Sequence, residues 1–391
     1  MTAAAPPRTA DLGALADAVA EVVAEHARQS DAEAAFPVRA LDGLRATGLL
    51  GLLVPVEHGG LGGSVADVLT VSTRLGRADM SAAMIFAMHC QQVAAVVRHA
   101  GDRLRDQLLP AIAQGELYLA SVTTEAGKGG HLLTARAELR DDDGELVVDR
   151  FAPIVTGGAH ADGFLVTMLG PGATSANQVS LVYAARDQLE VVPVGEWQPL
   201  GMRASSSGAL RLRGRVPGHQ VIGRHGGFRE IVTTTFGPLA HLGWSACWLG
   251  TASGALSRVL GLLRDPAARG SLDLGSELLL TRLARSRQRL EVVNALLWRA
   301  EAVVAREDDL SRPRTQLLLN ELKITAAEEC YAAVDELVDA VGLRHGYLRD
   351  SPTGLERALR DLRSAALNYG NDRLYLADGR LALLDQEVRF A

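Results

Sequence analysis

The hydrophobic pattern changes period twice along the chain. Between residues 11 and 28, apolar side chains fall at Leu12, Leu15, Val19, Val22 and Val23, one face of a helix. Further helices are predicted over 37–47, stopping at Gly48, then over 64–77, 81–99 and 102–113, the last before Gly115. A glycine loop, Gly59-Gly60-Leu61-Gly62-Gly63, separates the second from the third. Near Tyr118 alternation and β-branched residues take over, predicting short strands over 117–124, 135–139, 145–148, 164–168, 179–183, 189–194 and 210–212. Turn signals such as Asp142-Asp143-Gly144 and Gly170-Pro171-Gly172 punctuate them. After Gly227 the helical period returns, with long helices predicted over 228–263, 274–306, 313–341 and 354–384. These are apolar on one stripe and rich in Arg and Glu on the other, as in a bundle. The expectation is an α+β multidomain chain: residues 1–116 helical, 117–222 a small β-barrel or sandwich, and 226–391 a helical bundle.

Composition narrows the class of function. Of 391 residues, 48% are hydrophobic and 22% charged, enough for large buried cores in a globular protein. The net charge is −6 with both signs interspersed, and no basic stripe invites a nucleic acid. No apolar run reaches the ~18 residues of a membrane span, and residues 1–8 lack the pattern of a secretory signal. Cys90, Cys247 and Cys330 are widely spaced, so a reduced, cytoplasmic protein without a Cys-based metal site is expected.

The candidate chemistry lies in three segments of the β region. The first is Ser121-Val122-Thr123-Thr124-Glu125-Ala126-Gly127-Lys128-Gly129-Gly130-His131. Its glycines allow close backbone approach to a ligand. The second is Ile154-Val155-Thr156-Gly157-Gly158, followed by Ala161-Asp162-Gly163. The third is Pro199-Leu200-Gly201-Met202-Arg203-Ala204-Ser205-Ser206-Ser207, then Val216-Pro217 and Val221-Ile222-Gly223.

With the helix–β–helix order, these segments identify a resemblance to the acyl-CoA dehydrogenase superfamily from about Phe36 to Asp385. The first is similar to the family's Thr-Glu-Pro-Gly-x-Gly-Ser-Asp motif, the second to Trp-Ile-Thr-Asn-Gly, and the third to Lys-x-Gly-x-Arg-x-Ser with the exit Val-Pro-x-x-x-Val-x-Gly. The resemblance implies an N-terminal helical domain, a middle β-barrel domain and a C-terminal four-helix bundle. It also implies bound FAD, with FMN as the variant, and a homodimer or homotetramer because the family's flavin site spans subunits. Thr123, Thr124, Gly129, Gly130, Thr156, Arg203 and Ser205 then become flavin-facing residues, and Ile154 stands where the family has a tryptophan covering the ring.

The bundle departs from the family in ways that bear on chemistry. Arg264-Asp265-Pro266-Ala267-Ala268-Arg269-Gly270 replaces an Arg-x-x-Phe-Gly segment, leaving Arg269 for the pyrophosphate. The adenosine-diphosphate segment becomes Asp339-Ala340-Val341-Gly342-Leu343-Arg344-His345-Gly346-Tyr347, keeping Gly342 and Gly346 but placing Asp339 where a carboxylate repels phosphate unless an arginine intervenes. Counting from Arg360-Asp361 puts Tyr369 at the position of the family's glutamate base, before Gly370 and Asn371. The alternative base position, on the first long helix, falls near Phe236. A tyrosine of ordinary pKa about 10 donates hydrogen bonds at pH 7 and is a poor base.

Three functions stay open at this point. One is an acyl-thioester oxidoreductase, on coenzyme A or a carrier protein, that works without the glutamate and passes electrons to a partner. Another is a monooxygenase of the same superfamily, fed reduced flavin by a separate reductase. The third is a redox-silent acyl-binding relative. Such monooxygenases carry a late histidine, where this chain has Asn368; His89 in Met88-His89-Cys90 and His241 on the long helix are the other candidates.

Overall fold

The computed structural model describes residues 11–127, 131–270, 272–307 and 309–384. The chain begins with five helices: α1 (Leu12–Glu33), α2 (Val38–Ala46), α3 (Val65–Ala78), α4 (Met80–His99) and α5 (Asp102–Ala113). Asp11 caps α1, and Ser64 with Asp67 closes a reciprocal capping box on α3. Helix α4 is buried along nearly all of Met80–Val96 and is the axle of this domain.

Eight strands follow: β1 (Leu119–Val122), β2 (Arg140–Asp142), β3 (Glu145–Ala152), β4 (Gly163–Leu169), β5 (Val179–Ala185), β6 (Leu189–Val194), β7 (Ala209–Pro217) and β8 (Val221–Ile222). They form two four-stranded sheets, ordered β1-β4-β5-β8 and β2-β3-β7-β6. The β1–β4 pair is parallel; the other ladders are antiparallel. Strands β4 and β5 are buried on both faces, whereas β3 alternates buried with exposed residues, so the first sheet is covered and the second meets water. Residues 135–139, expected as a strand, contribute a single bridge, Glu138 to Leu169, before β2.

The last region holds α6 (Phe228–Ile231), α7 (Gly237–Arg264), the one-turn α8 (Pro266–Arg269), α9 (Glu277–Val304), α10 (Pro313–Gly342), α11 (Leu355–Leu362) and α12 (Asn371–Ala382). Two features correct the sequence reading. A π-helical segment, Val232–Phe236, joins α6 to α7. The helix expected over 354–384 is broken by a turn at 363–370, which carries Tyr369 at φ +52°. Helix α7 is the shared wall of the molecule. It packs on α3 so closely that a Cβ at Gly250 would stand 2.3 Å from the Thr73 carbonyl. Both α4 and the 228–264 helix are long and apolar enough to cross a membrane by length and composition, but both are mostly buried inside the protein as core helices.

Candidate functional site

The β-domain side of the site is a chain of hydroxyls. Ser205 Oγ donates to the Met202 carbonyl (2.7 Å) and lies 2.7 Å from Ser207 Oγ. Ser207 Oγ donates to Thr156 Oγ1 at 3.0 Å. Each hydroxyl has one hydrogen and its rotor can turn, so a ligand at Thr156 Oγ1 can be met by the end of the chain as donor or as acceptor. The Thr156 backbone is held as well: Tyr118 Oη donates to its carbonyl (3.4 Å), and the Gly157 N–H donates to Ser205 O (3.0 Å).

The Thr124 loop is fastened beside it. Thr124 Oγ1 donates to the Ile154 carbonyl (2.7 Å) and accepts from the Ile154 N–H (3.2 Å). Arg150, fully buried, donates to the Thr124 carbonyl (2.7 Å) from below and pairs with Glu125 at 3.4 Å. Glu125 also accepts from the N–H groups of Arg136 and Ala137. Ile154 is left 48% exposed next to this hydroxyl edge. An exposed apolar side chain beside an edge of hydroxyls suits a flat heterocycle with polar atoms on one edge, which is the shape of an isoalloxazine ring. Thr123 follows the end of β1 and is half-buried, while Gly129 and Gly130 lie outside the described residues.

The bundle side is aromatic. Tyr369 stands with its ring 6.2 Å from the imidazole of His241 on α7. Trp244, one turn on, is 6.4 Å from His241, and Trp248 a further 6.4 Å from Trp244. His241 Nδ1 donates to the Leu319 carbonyl at 3.1 Å, which leaves Nε2 as the lone-pair nitrogen of a neutral ring. Burial lowers His241 to about 4, Lys323 pushes the same way, and the bond to Leu319 opposes them. Burial also raises the Tyr369 phenol, against the pull of Arg373. Both side chains are therefore uncharged at pH 7.

Several expected site residues are engaged elsewhere. His89 is fully buried, and both its nitrogens are taken: Nε2 donates to Leu50 O and Nδ1 accepts from the Leu119 N–H, each at 3.0 Å. It joins α4 to the start of β1 and has nothing left for a substrate, which corrects its reading as a catalytic candidate. Arg203 caps the C-terminus of α1, with Nε donating to Asp31 O (2.7 Å) and Nη2 to Ala32 O (3.2 Å), so it holds two domains together instead of facing a cofactor. Asn371 accepts from Lys323 Nζ (2.6 Å) and donates to Glu328 (3.1 Å), so its amide is committed within the bundle. Phe236 is a buried core ring whose carbonyl, freed by the π turn, accepts from Gln91 Nε2 at 2.6 Å. Asn368 is half-buried in the turn, its N–H bonded to Ser364 O at 3.0 Å.

The remaining residues lie at the far ends of helices. Gly342 (φ +68°) ends α10, and Gly346 lies in the π turn Leu343–Tyr347, where a Cβ would stand 2.7 Å from Val338 O. Asp339 nearby is paired with Arg282 at 3.3 Å, so an arginine does stand beside that carboxylate. Arg269 closes α8, and its side chain lies outside the described residues.

Sequence reasoning missed Ser207, Lys323 and the two tryptophans. Lys323 had a signal: it sits on the apolar stripe of α10 with Leu319, Ala326 and Cys330, where a lysine is out of register with its surroundings.

Comparison with known proteins gives the family. Two family models match the chain, the acyl-CoA dehydrogenase N-terminal domain over residues 12–116 and the acyl-CoA dehydrogenase C-terminal domain over 227–377. A probable acyl-CoA dehydrogenase, fadE25 of Mycobacterium leprae (strain TN), is 26% identical over 94% of this chain and 93% of its own length. A dibenzothiophene monooxygenase of Rhodococcus erythropolis is 26% identical over 57% of this chain and 55% of its own. The crystal structure of FMN-bound TdsC from Paenibacillus sp. A11-2 superposes with a TM-score of 0.86 at 22% identity, covering 97% of this chain and 98% of that one. With both family domains matched in order around the β domain, the chain belongs to the acyl-CoA dehydrogenase family and is a flavin oxidoreductase.

Proposed function

We propose that this protein is a flavin-dependent monooxygenase acting on a planar aromatic substrate, with reduced flavin supplied by a separate reductase. The observation that carries the reading is the neutral Tyr369–His241 pair, standing where the family's resemblance puts a glutamate base. Removing the α-proton of a thioester needs a placed base, and a phenol raised above its ordinary pKa is not one. The same pair, with Trp244, offers flat faces and one lone pair, which suits an aromatic ring carrying an N–H or O–H.

A bound flavin would be held at its ring edge by Thr156 and covered by Ile154, with Thr124 fixing the loop between them. Reduced, it supplies the two electrons that activating molecular oxygen requires. The chain's own residues then orient and exclude. His241 Nε2 accepts a hydrogen bond from the substrate and can take a proton there, and Tyr369 walls the ring. A homodimer or homotetramer belongs to the proposal, because Leu376, Leu383, Leu384, Leu343 and Tyr347 all stand exposed on the bundle. A reduced, cytoplasmic setting is the matching proposal for three buried free thiols.

Oxidation of an acyl thioester, with electrons passed to a protein partner, is the second reading. It is favoured by the likeness to fadE25 along nearly the whole chain and by His241, whose basicity near 4 is that of a carboxylate. One experiment separates the two. The purified protein is given FMN or FAD, a reductase with NADH, oxygen, and indole or dibenzothiophene; in parallel it is given butyryl-CoA and an artificial electron acceptor. Oxygenated product from an aromatic probe is the expected result. Crotonyl-CoA from the second assay, with none from the first, would overturn it, and a sample that stays colourless after flavin is added would point to the redox-silent relative.

A further inference from the structure

A lysine in the middle of the bundle has no obvious packing reason to be there. Lys323 of α10 is fully buried. Burying an ammonium costs several kcal/mol unless its hydrogen bonds are replaced, and an unbranched apolar side chain would fill the same space. Its Nζ donates to the Ala365 carbonyl (3.1 Å) and to Asn371 Oδ1 (2.6 Å), and it lies 5.6 Å above the Trp248 ring. Burial lowers Lys323 to about 8 against the opposing pull of Glu328, so the group stays mostly charged at pH 7.

The two acceptors are informative. Ala365 lies at the start of the turn between α11 and α12, and Asn371 is the first residue of α12. Between them the backbone makes no regular structure, and Tyr369 adopts the left-handed conformation that L residues avoid. Asn371 is in turn held by Glu328 of α10 at 3.1 Å, and Glu328 accepts from Tyr375 Oη at 3.1 Å. One helix thus grips both ends of the segment that presents Tyr369. An apolar residue at 323 would fill the core but could not tie two points of an irregular turn.

We propose that Lys323 is a positioning residue that clamps the turn 365–371 and thereby sets the Tyr369 ring against His241. The proposal rests on the reading of Tyr369 and His241 as the site, and it makes Lys323 act through Tyr369 without touching the substrate. A buried lysine that serves stability alone would leave the Tyr369 ring where it is.

The test replaces tyrosine with 3-fluorotyrosine and reads ¹⁹F NMR spectra of the full chain, which has six tyrosines. Tyr369→Phe assigns the resonance. In Lys323→Met the Tyr369 resonance should move and broaden, while Tyr118 and Tyr183, in the β domain, keep theirs and report an intact fold. A Tyr369 resonance unchanged in folded Lys323→Met overturns the proposal. Should that variant fail to fold, Asn371→Ala keeps the lysine and its Ala365 bond but removes the second anchor, and the same comparison decides. Turnover of indole gives a second readout. Lys323→Met should lower kcat about 10-fold or more in the wild-type background and change it little in Tyr369→Ala, where the ring it positions is absent. Additive losses in the two backgrounds would count against it. Absence of turnover in the wild type would sink the functional reading, and the NMR comparison would still decide the role of Lys323.

Discussion

His89 on α4 and His241 on α7 look alike on a first inspection. Both are buried in long core helices, both bond a backbone carbonyl, and burial lowers both to about 4. They differ in the second nitrogen. At His89 it accepts the Leu119 N–H, which fixes the start of β1 and, through neighbouring Tyr118, supports the carbonyl of Thr156. At His241 no protein donor takes it among the described residues, and the ring faces Tyr369. One histidine is a joint between elements; the other keeps an unused lone pair beside an exposed tyrosine. A histidine's candidacy for chemistry is decided by what its second nitrogen does, and burial or pKa alone would have ranked these two equally.

The comparison is broken most forcefully at the joint. His89→Ala leaves the Leu119 N–H and the Leu50 carbonyl buried without partners and opens a cavity, so a loss of about 3–5 kcal/mol is expected. His241→Ala forfeits one bond and should cost about 1–2 kcal/mol. Denaturant melts of the two variants check this, and equal losses would erase the distinction.

Acid titration tests the pair together. Each histidine takes its proton near 6.5 in the unfolded chain and near 4 in the folded one. Their stability is fully present above pH 6.5 and is lost as pH falls from 6.5 toward 4, about 3 kcal/mol for each group. His99 and His160 are also lowered by burial and add to the same sign. Asp361 opposes it: burial raises it to about 7, so its contribution is present below about 4 and lost as pH rises toward 7. Asp378, raised by burial to about 6, and Glu321 and Asp335, also raised, add to the opposing sign, so the carboxylates largely offset the histidines between pH 4 and 6.5, and His89→Gln should lower the slope of stability with pH by about one proton. An unaltered slope would show that His89 is not held neutral by the fold.

The remaining predictions concern function. His241→Ala should reduce turnover of an N–H-bearing aromatic probe about 10²-fold at the least, the lower end of an acid–base contribution, whereas a conservative change at His89 should leave kcat near wild type in whatever protein folds. Thr156→Val removes the terminal hydroxyl of the Ser205–Ser207–Thr156 chain and should weaken flavin binding about tenfold, one hydrogen bond's worth, with a shift in the flavin's visible bands. The smallest effect is expected at Tyr369→Phe, which keeps the ring and should change turnover less than about threefold if the side chain is a wall. Tyr369→Glu sharpens this last case, since it puts a carboxylate at the position to which the resemblance assigns a base; dehydrogenation of butyryl-CoA by that variant is the expected gain.

How far the site was legible depended on the range of the interaction. The Thr124, Ile154, Thr156 and Ser205 positions came from short motifs, and the Thr124–Ile154 bonds join the segments that follow β1 and β3, strands of two different sheets. Arg203 sat in an equally specific motif but turned to the end of α1, because four carbonyls at a helix C-terminus lack partners and a guanidinium can satisfy several. Local sequence could not reveal that α1 would end there. The turn at 363–370 was hidden for a similar reason. Helical periodicity continues through Leu362, Ala366 and Leu374, so the pattern carries no sign of the turn that the structure places between α11 and α12.

The sequence by itself determined the order of helical, β and helical regions, the capping residues of the early helices, the hydroxyl residues on the β domain and the presence of a tyrosine at position 369. Those follow from side-chain period, turn chemistry and residue identity, which act over a few residues. Tertiary structure alone decided which histidine keeps a free nitrogen, which arginine serves as a cap, and that a lysine on the apolar stripe of α10 would grip the turn carrying Tyr369. These depend on where distant carbonyls and amides fall once the helices pack, and a buried polar group takes whichever partner the packing brings within about 3 Å.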